Sequence, residues 1–153
     1  MFHIVLVEPE IPPNTGNIAR LCAGSQSVLH LIEPLGFSID DKQLKRAGLD
    51  YWHLLDVRVH ESWSAFQKVH GGSKMYFLST KGNKSYHQIT YEEGDFFVFG
   101  KETKGLPDWM LEEHKENVIR IPLVASARSL NLSNAVSVVL YEALRQKDFP
   151  AMI

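Results

Sequence analysis

The chain has 153 residues, 44% of them hydrophobic and 22% charged, with a net charge of −2 at pH 7. This size and balance fit one domain with a full core and exclude a mostly disordered chain. The slight negative charge excludes an overall basic nucleic-acid binder, so any RNA contact must come from a local patch or from patches pooled across subunits.

The first β-rich apolar run is His3–Val7. The N-terminus is too short and lacks the charged flank of a signal peptide, and no apolar run approaches the roughly 18–20 residues that cross a bilayer. Cys22 is the single cysteine, which excludes an internal disulfide and fits a reducing compartment. A cytoplasmic protein without membrane contact is expected. A helical segment follows over Asn14–Ala23, then a strand over Val28–Ile32. A helix beginning at Asp40 or Asp41 runs through Lys45 with Gly48 as its stop. A strand over Val57–His60 leads to Ser62, a plausible N-cap, and a helix through Trp63, Phe66 and Val69. Strands over Met75–Ser79 and Phe96–Gly100, a helix near Pro107, and a strand over Val118–Leu123 come next. The last helix, about Ser133–Gln146, is apolar at Ala135, Val136, Val138, Val139, Leu140, Ala143 and Leu144, which covers more than one stripe. Such a helix is expected to be buried on two sides, one against its own sheet and one against a second subunit. Strand–helix alternation predicts a single α/β domain with a mostly parallel sheet and helices on both faces.

Ligands of open α/β sheets gather at the carboxyl ends of the strands. Three late strands end in loops that mix small and polar residues: Thr80–Asn83, Gly100–Pro107, and the stretch from Pro122 to Asn134. Gly100 and Gly105 flank a Glu and two Lys, which also suits a simple strand-to-helix turn. It is not a phosphate loop, because Leu106-Pro107 replaces the required Lys-Ser/Thr. Ser129, Asn131, Ser133 and Asn134 crowd one helix entrance. One suffices as a cap, and the surplus suggests side chains aimed at a ligand. Asn14, Asn17 and Arg20 recur at i, i+3 and i+6 and form a polar stripe on the first helix. The seven histidines show no metal-ligand spacing, so each reads as surface or core. No Gly-x-Ser-x-Gly and no dinucleotide fingerprint is present.

Together, the segments Glu8–Cys22, Phe99–Pro107, and Ile121-Pro122 with Ser129–Ser137 resemble the three motifs of the SPOUT methyltransferases. The likeness is closest to the small bacterial enzymes that methylate the wobble ribose of transfer RNA, and it extends to Leu31–Phe37 and Ala47–Tyr51. Relatives commonly carry Pro and Arg where this chain has Lys101 and Lys104, and an Asn-Thr-Gly turn where it has Gly24-Ser25-Gln26-Ser27. The resemblance implies a C-terminal trefoil knot, which periodicity alone would never give, since chains almost never thread loops. It implies S-adenosylmethionine as methyl donor, no metal, a transfer RNA partner and a homodimer.

Carried over residue by residue, the resemblance puts Leu78, Gly100, Ile121, Ser129 and Leu130 at the cofactor. It puts Arg20, Asn14, Glu102 and Asn131 at the reaction. Arg20 is expected to clamp a phosphate and stabilise developing oxyanion charge, since guanidinium is too basic to act as a free base. Asn14 would orient it, and Glu102 would either accept the proton or bind cofactor. Lys42, Lys45, Arg46 and Lys81 are the expected RNA contacts. Larger relatives acting on ribosomal RNA carry an added N-terminal RNA-binding domain, whereas here the first strand starts at His3, so transfer RNA is favoured. The alternatives are another RNA acceptor such as ribosomal RNA, or an RNA- or nucleotide-binding module without turnover.

Overall fold

The computed structural model describes residues 1–42, 44, 46 and 53–153. Among them, seven strands form one sheet: β1 (His3–Val7), β2 (Val28–Ile32), β3 (Asp56–His60), β4 (Met75–Leu78), β5 (Lys84–Ser85), β6 (Phe96–Phe99) and β7 (Val118–Arg120). Their spatial order is β3-β2-β1-β6-β4-β7-β5, and every pairing is parallel. The order turns back between β1 and β6, the kind of switch point where loops diverge and leave a crevice.

Four helices are fully described: α1 (Pro12–Ser25), α2 (Trp63–His70), α3 (Asp108–Glu113) and α4 (Leu132–Gln146). They cover both faces of the sheet. On one face Ile4, Leu6, Leu29, Leu31 and Phe97 pack against Ile18 and Cys22 of α1 and Val136, Val139 and Leu140 of α4. On the other, Val5, Val7, Ile32, Phe77 and Val98 pack against Phe66 of α2 and Met110 of α3. The alternation of Ile4 and Leu6 with Val5 and Val7 is the two-residue period of a strand buried on both sides. No helix among the described residues is long and apolar enough to cross a membrane.

The element boundaries have local causes. Pro12 and Pro13 open α1 with two residues that lack N–H groups, so two of the donors usually orphaned at a helix start do not exist there. The helix thus begins two residues before the expected Asn14, with Ile11 at its cap position. Ser62 Oγ accepts from Ala65 N at 3.0 Å and starts α2, and Asn131 caps α4 by accepting from Ser133 N and Asn134 N. Lys42, Leu44 and Arg46 are helical, and the Asp41 carboxylate accepts from Leu44 N at 3.3 Å. Lys45 and the Gly48 stop lie outside the described residues. The last strand ends at Arg120 rather than Leu123, because Pro122 cannot donate to a ladder. The two-residue β5 was not expected; it is too short to carry a periodicity signal.

On α4, Val136, Val139, Leu140, Ala143 and Leu144 are buried, whereas Val138 (36%) and Tyr141 (41%) remain exposed. The second apolar stripe is therefore real but uncovered within one chain.

Candidate active site

The carboxyl ends of β4, β6 and β7 open into a cleft of about 520 Å³, within the size range of small-molecule sites. Leu78, Gly100 and Ile121 sit at or just beyond these strand ends and line it, together with Ser129 and Leu130 from the loop before α4. All five expected cofactor residues therefore converge on one cavity. Lys81 also lines it, and its ammonium pairs with Asp108 at 2.8 Å.

The loops around the cleft are stapled to one another. Glu102 accepts from Glu10 N at 2.9 Å, from Ile11 N at 2.8 Å and from Asn14 Nδ2 at 3.2 Å. Its carboxylate thus takes the place of a side-chain cap at the start of α1, where negative charge meets the positive end of the helix dipole. Glu10 returns the contact, accepting from Thr103 N at 3.1 Å and Thr103 Oγ1 at 2.8 Å, and these bonds hold its carboxyl below the usual range. Lys101 pairs with Glu8 at 3.3 Å and adds a third tie between the same two loops. Asn14 Oδ1 accepts from Asn131 Nδ2 at 3.1 Å, and Asn131 Oδ1 accepts from Ser133 Oγ at 2.6 Å and Ser133 N at 2.9 Å. One chain of bonds, Glu102–Asn14–Asn131–Ser133, links all three motif segments.

Both oxygens of Glu102 are occupied by donors from α1 and its approach. A carboxylate holding three donors from the start of one helix is placed to position the loops. Gly100 is fixed by crowding. A Cβ there would lie 2.0 Å from the Gly105 carbonyl carbon and 2.2 Å from Leu106 N. Gly105 turns the loop back with φ +67°, and its N–H donates to Lys101 O at 2.9 Å. The glycine pair is therefore a turn, as its spacing allowed, and it also shapes the cleft wall.

Of the expected reaction residues, Asn14, Glu102 and Asn131 line the cleft, while Arg20 does not. Arg20 is exposed, almost two turns along α1 from Asn14. Lys42 and Arg46 are exposed away from the cleft lining, and Lys45 lies outside the described residues. Sequence reading did not anticipate the Glu10–Thr103 and Glu8–Lys101 ties. They join residues more than ninety positions apart, and no local pattern signals them.

A strand-end cleft, a glycine-crowded loop and an Asn–Asn–Glu staple give a topology and a motif set that can be compared with known proteins. The SpoU rRNA Methylase family matches residues 1–141. The chain belongs to this family. It is similar to a tRNA (cytidine(34)-2'-O)-methyltransferase of Methylovorus glucosotrophus, 53% identical over 154 residues that span 100% of both chains. Its fold matches a structure solved for the 2-OH methylation of C/U34 on tRNA, with a TM-score of 0.92, 44% identity, and 97% of each chain covered. It also matches the SpoU methyltransferase AviRb of Streptomyces viridochromogenes in complex with AdoMet, with a TM-score of 0.84, covering 95% of this chain and 57% of that one. At 21% identity the last likeness concerns the fold alone.

Proposed function

We propose that this protein transfers a methyl group from S-adenosylmethionine to the ribose 2′-hydroxyl of the wobble nucleotide, cytidine or uridine, in the transfer RNA anticodon loop. The observation that carries this reading is end-to-end identity of 53% with a relative named tRNA (cytidine(34)-2'-O)-methyltransferase. The intact Glu102–Asn14–Asn131 staple around the cleft supports it.

The cleft suits such a donor. It offers backbone at three neighbouring strand ends for hydrogen bonds to an adenosine, and apolar walls at Phe99, Leu106 and Leu132 for its ring. When bound, S-adenosylmethionine supplies an electrophilic methyl on a sulfonium, and displacement there calls for no Lewis acid. The chain's task is then chiefly geometric, holding the hydroxyl on the displacement axis. Leu78, Gly100 and Ile121 hold the nucleoside part, Ser129 and Leu130 close the wall, and Asn131 presents its amide to the acceptor side. Glu102 fixes the motif loops rather than moving the proton.

Arg20 clamps a backbone phosphate next to the acceptor and stabilises charge developing on the oxygen. Because it does not line the cleft of its own chain, a homodimer fits this role, with Arg20 reaching the site in the assembled pair. The uncovered stripe of Val138 and Tyr141 with nearby Phe149 supports such a dimer. Lys42, Lys45, Arg46 and Lys81 supply phosphate contacts, so affinity for RNA falls steeply with salt. The C-terminal trefoil knot belongs to the same reading, supported by family membership and by the return of the segment beyond β7 to α1 through Asn131 and Asn14.

The test is methylation of a wobble-cytidine and a wobble-uridine transfer RNA by the purified protein, followed by nuclease digestion and mass spectrometry. A 2′-O-methyl nucleoside at position 34, absent when that ribose is 2′-deoxy, is the expected result. Methylation elsewhere, or none despite cofactor binding, overturns the assignment. Arg20→Lys is expected to lower turnover by about 100-fold or more with unchanged cofactor affinity. Near-normal turnover would refute the forked clamp.

A further inference from the structure

Four of the seven histidines, scattered through the sequence, meet on the sheet face covered by α2. His3, His30 and His60 lie on β1, β2 and β3, and the register offsets them diagonally: His3 pairs with Val28, Val5 with His30, and Ile32 with His60. Their rings form a hydrogen-bonded row, His3 Nδ1 to His30 Nε2 at 2.9 Å and His30 Nδ1 to His60 Nε2 at 3.0 Å. His70, the last residue of α2, completes the group, with its ring centroid 5.0 Å from that of His30 and 5.9 Å from that of His60. None of the four lines the cleft.

We propose that His30, His60 and His70 form a binding site for one divalent transition ion of the zinc type, separate from the methyl-transfer cleft. Each of the three can direct one ring nitrogen to within 4.8 Å of the others. In a tetrahedral site with metal–nitrogen bonds of about 2.0–2.1 Å, ligand nitrogens stand about 3.3 Å apart. The His30–His60 pair at 3.0 Å therefore needs to open by only a few tenths of an ångström, while the His70 ring closes in from the end of its helix.

The protons balance without release. With metal on His30 Nδ1 and His60 Nε2, each neutral ring keeps its single proton on the other nitrogen. The His30 proton then sits on Nε2 and is donated to His3 Nδ1, already 2.9 Å away. His3 thus becomes the outer partner that fixes a ligand's tautomer, as is usual behind metal-bound imidazole. Coordination takes imidazole in its neutral form, which a histidine of ordinary basicity mostly holds at pH 7.

The surroundings suit the ion. Phe66 and Phe96 pack edge-on or tilted against His30, His60 and His70, and Phe96 stacks on His3 at 4.0 Å, which covers the inner side. His60 and His70 are half-buried, leaving the outer side open for entry and for a water as fourth ligand. Arg58, opposite His30 on the neighbouring strand, is engaged by Asp56 through bonds of 3.1 and 3.0 Å, which offsets its charge. Three imidazoles without thiolate or carboxylate favour zinc, copper, nickel or cobalt over calcium or magnesium. The ion would tie the edge strand β3 and the end of α2 to β2.

The full-length protein, stripped with chelator and dialysed, is titrated with Zn²⁺ by calorimetry and with Co²⁺ by visible absorption. One ion per chain, intense tetrahedral-type Co²⁺ bands and a melting temperature raised by Zn²⁺ are expected. His60→Gln and His70→Gln should each weaken binding by more than about 100-fold, and His3→Phe by about 10–100-fold. His87→Gln, at an exposed position off the cluster, should leave binding unchanged. Absence of binding, a pale octahedral Co²⁺ spectrum, or affinity unchanged from the parent in the His60→Gln and His70→Gln proteins would overturn the site. Their retained circular dichroism separates lost coordination from lost fold.

Discussion

Replacing Glu102 tests whether the cleft is held by a long-range carboxylate staple or operated by a catalytic base. In Glu102→Ala, Glu10 N and Ile11 N lose a charged acceptor at 2.9 and 2.8 Å, and Asn14 Nδ2 loses one at 3.2 Å. Bonds to charged groups contribute about 1.5–3 kcal/mol each when dry. Glu102 is half-buried, so water replaces part of the loss, and the low end applies to the two backbone bonds. Adding about 0.5 kcal/mol for charge at a helix start gives a destabilisation of about 2–3.5 kcal/mol. In Glu102→Gln one acceptor oxygen survives, but the new amide nitrogen meets a donor, so about half that loss is expected. Urea unfolding reads the stability, calorimetry with S-adenosylmethionine reads the cleft, and turnover on transfer RNA reads the reaction. The staple predicts that all three decline together and that Gln falls between Glu and Ala. If Gln abolished turnover while stability and cofactor affinity stayed at the parent values, Glu102 would be moving the proton and the staple argument would fail.

Other consequences follow from particular contacts. Burial holds His30 at about 3 and His3 at about 4, against 6.5 for a free ring. Between about pH 6.5 and 4 the unfolded chain therefore binds more protons, and stability drops as pH falls, by up to about 1.4 kcal/mol per pH unit for buried His30 and less for half-buried His3. Denaturant titrations in chelator at pH 7 and 5 should show this, and a flat profile would contradict neutral histidines in the fold. Gly100→Ala would drive a Cβ into the Gly105–Leu106 backbone. A loss of about 1–3 kcal/mol and at least tenfold weaker cofactor binding are expected, checked by the same two methods. Gln26 is an exposed residue with φ 54° just after α1, a conformation that costs an L-residue about 1 kcal/mol. Gln26→Gly should thus raise stability by about 0.5–1 kcal/mol, and a decrease in the unfolding midpoint would refute the strain.

Much of this architecture was legible because it is written locally. The five-residue runs of β1 and β2 carry strand propensity in apolar stretches interrupted only by His3 and His30, and Ser62 and Asn131 sit where helix starts need acceptors. The cleft was legible from the excess of polar residues at strand exits, beyond what caps and turns require. What stayed hidden depends on register and topology. The histidine cluster exists only because β1, β2 and β3 pair in parallel with their histidines stepped by two residues, which no spacing rule encodes. The role of Glu102 was equally hidden, since a free carboxylate and one that accepts from Glu10 N, Ile11 N and Asn14 have the same sequence. Arg20 marks the same boundary one level up. Its motif position is plain in the sequence, yet a single chain leaves it exposed and outside the cleft lining. The Val138–Tyr141 stripe is uncovered in that same chain. The proposed homodimer would cover both, so on that reading a single interface mutation, Val138→Lys, should give monomers and reduce turnover while leaving the cleft lining in place.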